Sequence, residues 1–247
     1  MLRAVNTAFT VLDEGADWLV VDKPAPLQIH PGTPDGTPTL WHGLRDLLAY
    51  EIANDGQVGI INRLDRETSG VVLVAKTQAA ARRFGIAMQE RRIRKKYLAV
   101  VRGWPEWSVL ELDAPILRQG EVEHSAIWVR QRVHPEGAPC RTDFRLLKKV
   151  THPAAGPLSL VEAAPLTGRM HQIRAHLAHL GHPVLGDKIY GPDPQCYLDF
   201  IETGWTPELE RRLLFARQAL HSHWLEVADF HPAWTAPMPP EMARWVE

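Results

Sequence analysis

At 247 residues, with 45% apolar and 23% charged side chains, the chain has the composition of a folded domain, which excludes a low-complexity or disordered protein. A net charge of −1 excludes a protein that coats nucleic acid through a general positive field. The only cysteines, Cys140 and Cys196, suggest neither a disulfide framework nor a zinc cluster, and apolar runs such as residues 71–75 fall far short of the roughly 18 residues that a membrane span needs.

In chain order, residues 17–30 begin as a short apolar strand and end in proline-punctuated turns. From Thr39 the positions Leu40, Leu44, Leu47, Leu48 and Ile52 recur at helical spacing, and Thr39 can cap that helix. Residues 59–62 read as a strand that enters the polar segment 63–69, and Gly70 opens an apolar strand to Ala75. Thr77 caps the next helix, whose inward face includes Ala80, Phe84 and Met88 and whose C-terminal end carries a basic cluster. Residues 96–101 form another strand. Between 103 and 157 only β structure is legible, with strand-like runs at 125–129 and 142–147. Residues 158–166 read as a strand, and Thr167-Gly168-Arg169 turns it into a helix with the stripe Met170, Ile173, Leu177 and Leu180, ended by Gly181. A surface excursion at 190–215 ends in a helix, and residues 219–227 form a last strand before a proline-rich tail.

This irregular order, without a βαβ rhythm, predicts an α+β fold on a mixed, mainly antiparallel sheet. One domain spanning residues 1–247 is expected, with insertions near 104–140 and 192–215. The opening residues lack an apolar signal core, so the expected location is the cytoplasm.

Two segments carry chemistry. Asn62-Arg63-Leu64-Asp65-Arg66-Glu67-Thr68-Ser69-Gly70 places a carboxylate on a loop between strands, beside two arginines that favour its ionised form. The plainer alternative is an Asp closing a turn with a surface ion pair. In Thr167-Gly168-Arg169-Met170-His171-Gln172-Ile173-Arg174, the helical spacing puts Arg174 at the boundary of core and solvent, roughly 80° from the stripe's centre. Such a guanidinium can hold a carboxylate or simply snorkel.

The cluster between Arg82 and Lys96 sets seven basic residues against Glu90, as either a solvated helix end or a phosphate-binding patch. His176, His179 and His182 recur at three-residue intervals but form no His-Glu-x-x-His pattern, so no metal site is expected. The nine tryptophans share no spacing and read mainly as packing.

Taken together, six runs in order resemble the RluA-type pseudouridine synthase family. They are residues 19–32 with Lys23-Pro24 and His30-Pro31-Gly32; 63–76; 95–103; 141–147; 166–191; and Ala219-Leu220-His221. The resemblance implies the pseudouridine synthase fold and an RNA-modifying isomerase that acts on structured ribosomal or transfer RNA without cofactor. It casts Asp65 as the catalytic carboxylate, Tyr97 as the ring packed on uracil, and Arg174 as a partner of Asp65. Arg63 and Arg169 become RNA contacts, and Ile173 lines the pocket. Arg91, Arg92, Arg94, Lys95 and Lys96 become candidate phosphate contacts.

One departure is Asn62, where most relatives have histidine, which bears on local hydrogen bonding. The accessory S4 module carried by many relatives is not expected, since the matching pattern begins near Trp18. A monomer without an obligate protein partner is expected. The rival of another class is a non-catalytic RNA-binding or RNA-folding protein on the same fold.

Overall fold

The structure, a computed structural model, describes residues 8–32, 36–228 and 230–247. Along the chain run β1 (Thr10–Glu14), β2 (Trp18–Lys23), α1 (Leu40–Leu47), α2 (Ala49–Ala53), β3 (Gly59–Ile60), β4 (Ser69–Ala75), α3 (Gln78–Gln89) and β5 (Ile93–Arg102). There follow β6 (Val109–Asp113), β7 (Ile116–Arg118), β8 (Gln131–Val133), β9 (Arg141–His152), β10 (Gly156–Pro165) and α4 (Gln172–His179). The chain ends with α5 (Gln195–Thr203), α6 (Pro207–Leu213), β11 (Leu220–Val227), β12 (His231–Thr235) and α7 (Pro240–Ala243). The class is α+β, and the strands pair in a mixed, mainly antiparallel pattern.

Two compact units share these elements: Met1–Lys95 with His221–Pro237, and Lys96–Leu220 with Met238–Glu247. In the first, β1, β2, β4 and β11 pair in that order, with β3 against β4 and β12 against β11. Among the pairings described for this unit, that of β4 with β11 is parallel. Strand β4 is buried along its whole length, which is why Val71-Val72-Leu73-Val74-Ala75 is continuously apolar rather than alternating. Helix α3 covers this unit's core by burying Ala80, Phe84 and Ala87 against Val71, Leu73 and Leu225, and the Thr77 hydroxyl accepts the Ala80 N–H at 3.1 Å.

In the second unit β5, β10, β9 and β6 are antiparallel, and β7 and β8 form a separate two-stranded ribbon. Residues 192–215 contain α5 and α6, which bury Cys196, Leu209 and Leu213 as a small core of their own.

Several expectations are corrected. The helix expected from Thr39 breaks at Leu48; Leu40, Leu44 and Leu48 point inward at four-residue steps, whereas Leu47 is 50% exposed. Residues 125–129 form bends and a turn rather than a strand. Met170 lies before α4 and is 51% exposed, and α4 buries every residue from Gln172 to Leu177, so an amphipathic stripe does not describe it. Arg174 is therefore buried, not at a boundary. The basic cluster does not sit at a helix end. Only Arg82 and Arg83 lie on α3, Arg91 occupies a left-handed turn position (φ 58°), and Arg94 to Lys96 lie on β5. The proline-rich tail adds β12 and α7.

Candidate active site

The loop at residues 63–68, which carries Asp65, belongs to the first unit and is fastened at both ends. Before it, the Asn62 side chain takes a backbone's place against β4: its Nδ2 donates to the Val71 carbonyl at 2.9 Å and its Oδ1 accepts the Leu73 N–H at 2.8 Å. The residue that departs from the family pattern thus ties down the loop's entry. Behind the loop the fully buried Lys23 ammonium donates to the carbonyls of Leu27 (2.8 Å), Pro24 (3.0 Å) and Arg66 (3.3 Å). The Arg66 carbonyl also accepts the Leu27 N–H at 2.8 Å, and the Thr68 N–H closes a turn onto the Asp65 carbonyl at 3.1 Å. Asp65 is left half-buried, between the exposed side chains of Arg63 and Arg66.

At the loop's exit, Gly70 has φ 115°, and a Cβ there would lie 2.1 Å from the Ser222 carbonyl oxygen of β11, so only glycine permits this approach. The neighbouring Ser69 hydroxyl meets His221 Nδ1 at 2.9 Å, and His221 Nε2 donates to the Ala236 carbonyl at 3.2 Å. His30 lies beside the loop: burial first, and then the Arg63 charge, hold its imidazole below the ordinary histidine value. Three of the six runs, 19–32, 63–76 and the His221 end of the last, therefore converge in this unit.

The second unit carries Tyr97, Arg169, Ile173 and Arg174. Tyr97 on β5 is buried opposite the small Ala163 of β10, which in turn faces Phe144 of β9. Arg174 is clamped by Asp187, with Nε donating to Oδ2 at 2.6 Å and Nη2 to Oδ1 at 2.9 Å. Asp187 Oδ1 also accepts the N–H groups of Ile189 (3.0 Å) and Tyr190 (3.1 Å). Burial pushes the Asp187 carboxyl up, but the Arg174 charge and these hydrogen bonds outweigh it and hold the group below the ordinary carboxylate value. Gly186 (φ 75°) brings the chain so close to the Arg217 carbonyl that a Cβ would lie 2.0 Å from it.

A directional network seats α4. Gln172 Oε1 accepts the Thr167 hydroxyl (2.7 Å) and the Arg169 N–H (3.1 Å), while its Nε2 donates to Thr142 Oγ1 at 2.9 Å. Thr142 in turn donates to His176 Nδ1 (2.9 Å), since His176 Nε2 carries the proton given to the Ala114 carbonyl (2.9 Å). Burial pushes this imidazole below the ordinary histidine value. Ile173 is buried on the same helix, and Arg169 is exposed just before it.

The basic cluster is largely neutralised. Arg83 pairs with Asp17 (3.0 Å), Arg92 with Glu90 (2.7 Å), Arg94 with Glu226, and Lys96 with Glu162 (3.5 Å). Among the described residues no carboxylate pairs with Arg91 or Lys95. By strand alternation Lys95 shares the Tyr97 face of β5, whereas Arg94 and Lys96 share the opposite one. Lys23, Gln172 and Asp187 carry no assigned role in the motifs; Lys23 stands out there as a charge closing an apolar strand within the matched run 19–32, and Asp187 as a Gly-Asp step within another.

A family model described as RNA pseudouridylate synthase matches residues 17–179, well over half of the chain. Ribosomal large subunit pseudouridine synthase D of Nitrosomonas europaea is 36% identical over 96% of this chain, which spans 64% of that protein's length. The protein of the same name from Escherichia coli K12 is 35% identical, with 96% of this chain and 69% of its own length covered. Among solved structures, human RNA pseudouridylate synthase domain containing 1 matches with a TM-score of 0.73 at 27% identity, covering 100% of this chain and 91% of its own. Human RNA pseudouridylate synthase domain containing 4 also gives a TM-score of 0.73, at 23% identity and 95% and 90% coverage, which speaks to the fold alone.

Proposed function

The chain belongs to the RNA pseudouridylate synthase family, and from that premise we propose that it isomerises uridine to pseudouridine in structured RNA with Asp65 as the reacting carboxylate. The observation that carries this reading is the loop at 63–68, where a half-buried carboxylate stands on a backbone gripped by a buried ammonium. That grip suits a group that must meet an extruded base without rearranging first.

In the reaction the N1–C1′ bond breaks, the uracil turns, and C5 bonds to C1′; the C5 proton leaves and N1 takes one up. Atoms and oxidation state balance, so the chemistry requires no cofactor. Asp65 attacks uracil C6 or ribose C1′, and either route uses the same ionised oxygen. Tyr97 supplies the ring for the uracil, Ile173 an apolar pocket wall, and Arg174 the guanidinium that the family resemblance pairs with the catalytic carboxylate. Arg63 and Arg169 hold the RNA, assisted at phosphates by Arg91 and Lys95 and less by Arg92, Arg94 and Lys96. Both units serve one catalytic domain, a reading supported by a family match that runs through both.

The relatives' names point to large-subunit ribosomal RNA as substrate rather than transfer RNA. A monomer in the cytoplasm, without an obligate protein partner, completes the proposal; among the described residues no helix is long and apolar enough to cross a membrane. The test is to treat large-subunit ribosomal RNA and transfer RNA transcripts with wild type and with Asp65→Asn, then count pseudouridines. Product in ribosomal RNA from wild type alone supports the reading. Equal product from both removes Asp65 from its role, and RNA binding without product from either favours the non-catalytic alternative.

A further inference from the structure

The segment 104–140, which none of the six motif runs includes, holds an aromatic that the site so far does not use. Trp128 is 73% exposed, although the Arg118 guanidinium lies 3.7 Å from its ring centroid. Its position is built, not loose. The preceding Ile127 is buried against Ala175 of α4, Ile189 and Tyr190. Three residues on, the Gln131 N–H donates to the Tyr190 hydroxyl at 2.8 Å. The same group of side chains holds Arg174: its guanidinium lies 5.1 Å from the Tyr190 ring, and its clamp, Asp187, accepts the N–H groups of Ile189 and Tyr190. An exposed indole and a candidate site arginine are thereby anchored to one packed cluster within one unit.

We propose that Trp128, backed by Arg118, is a stacking platform for an unpaired RNA base flanking the target uridine. This rests on the reading of Arg174 as part of the site. An indole presents a flat face to any base, and the Arg118 guanidinium, itself paired with Glu121 at 3.5 Å, backs the ring and holds it in place. The surroundings favour RNA over a protein partner, because residues 116–134 hold three arginines against two glutamates: Glu121 and Glu123 pair with Arg118 and Arg132, and among the described residues no carboxylate pairs with Arg130. A base next to an extruded uridine has itself lost a stacking neighbour, and the platform replaces that contact.

The experiment measures binding and turnover of a large-subunit ribosomal RNA transcript, and binding of a single-stranded oligoribonucleotide, by the full chain and its Trp128→Ala and Trp128→Phe variants. Trp128→Ala should weaken affinity by about 5- to 150-fold, the equivalent of ~1–3 kcal/mol for one stacked base. The loss should fall on Kd and KM rather than on kcat, with the salt dependence of binding and the thermal midpoint unchanged. Trp128→Phe should retain most of the affinity. Binding by Trp128→Ala within twofold of wild type, or a phenylalanine variant as weak as the alanine one, overturns the platform. Wild type that makes pseudouridine while Trp128→Ala behaves identically sinks the platform and leaves the enzymatic reading standing. Trp128-dependent binding without any product does the reverse.

Discussion

Asp187→Asn isolates what the buried ion pair of the second unit contributes. The asparagine keeps the side chain's shape and the acceptor that holds the Ile189 and Tyr190 N–H groups at 3.0 and 3.1 Å, but it removes the charge that two Arg174 nitrogens meet at 2.6 and 2.9 Å. Stripping one partner from a buried pair costs about 3–5 kcal/mol, because the remaining charge stays desolvated without that counter-charge. With two backbone hydrogen bonds preserved, about 3 kcal/mol is expected, a large share of the roughly 5–15 kcal/mol that holds a domain together. Arg174→Met should cost a similar amount by stranding the carboxylate. The double variant buries neither charge and should fall at least 2 kcal/mol short of the sum. Urea unfolding followed by circular dichroism reads all three, and losses that add to within about 0.5 kcal/mol would refute the pair's role. The pH dependence has a definite sign. The folded carboxyl titrates below its ordinary value, so its contribution is complete above about pH 4 and is lost as pH falls through the folded value. Asp187→Asn should therefore erase part of the acid instability below pH 4 and leave the pH 5–8 range parallel to wild type.

His176 titrates in the opposite charge sense. Its imidazole is neutral in the fold and its pKa is lowered by burial, so the unfolded chain takes up the proton first. Stability from this group is intact above about pH 6.5 and declines as pH drops toward the folded value; His176→Gln should lose that slope, and an unchanged slope would show that the Thr142 and Ala114 contacts tolerate the charge. In the basic cluster, Arg91→Ala should reduce the salt slope of RNA binding by about one, whereas Arg94→Ala, already neutralised by Glu226, should change it by less than half as much. Equal effects would mean that RNA displaces Glu226.

What could be read from the sequence follows from where each contact's partners lie. Strand β4 and helix α3 were legible because local pattern suffices for them: five consecutive apolar residues in one, Thr77 followed by Ala80 and Phe84 in the other. The loop of Asp65 was legible for the same reason. The carbonyl cage around Lys23 was not, since its acceptors lie 1, 4 and 43 residues away and carbonyls leave no trace in residue identity. Arg174 misled the helical projection because α4 is enclosed from Gln172 to Leu177, and a helix buried all round has no polar face from which to measure an angle. The strand expected at 125–129 failed on similar grounds: Ile127 is apolar to anchor a turn onto α4, not to alternate along a sheet.

The distribution of charge bears on how such a chain would choose its RNA. With net charge −1, and with four of the seven cations between Arg82 and Lys96 held in ion pairs, little long-range attraction remains to gather RNA indiscriminately. The side chains that would meet a nucleotide are instead fixed beforehand by contacts within the protein: the Asp65 loop by Lys23 and Asn62, Arg174 by Asp187, Trp128 by Ile127 and Arg118. On the proposed reading, ordering costs are met during folding rather than during binding, and they would leave more of the contact energy to offset the few kcal/mol needed to extrude a base. Weak general attraction combined with rigid local contacts would favour RNA whose shape already presents the uridine, so under the proposed function selection would rest on geometry at the site more than on the field around it.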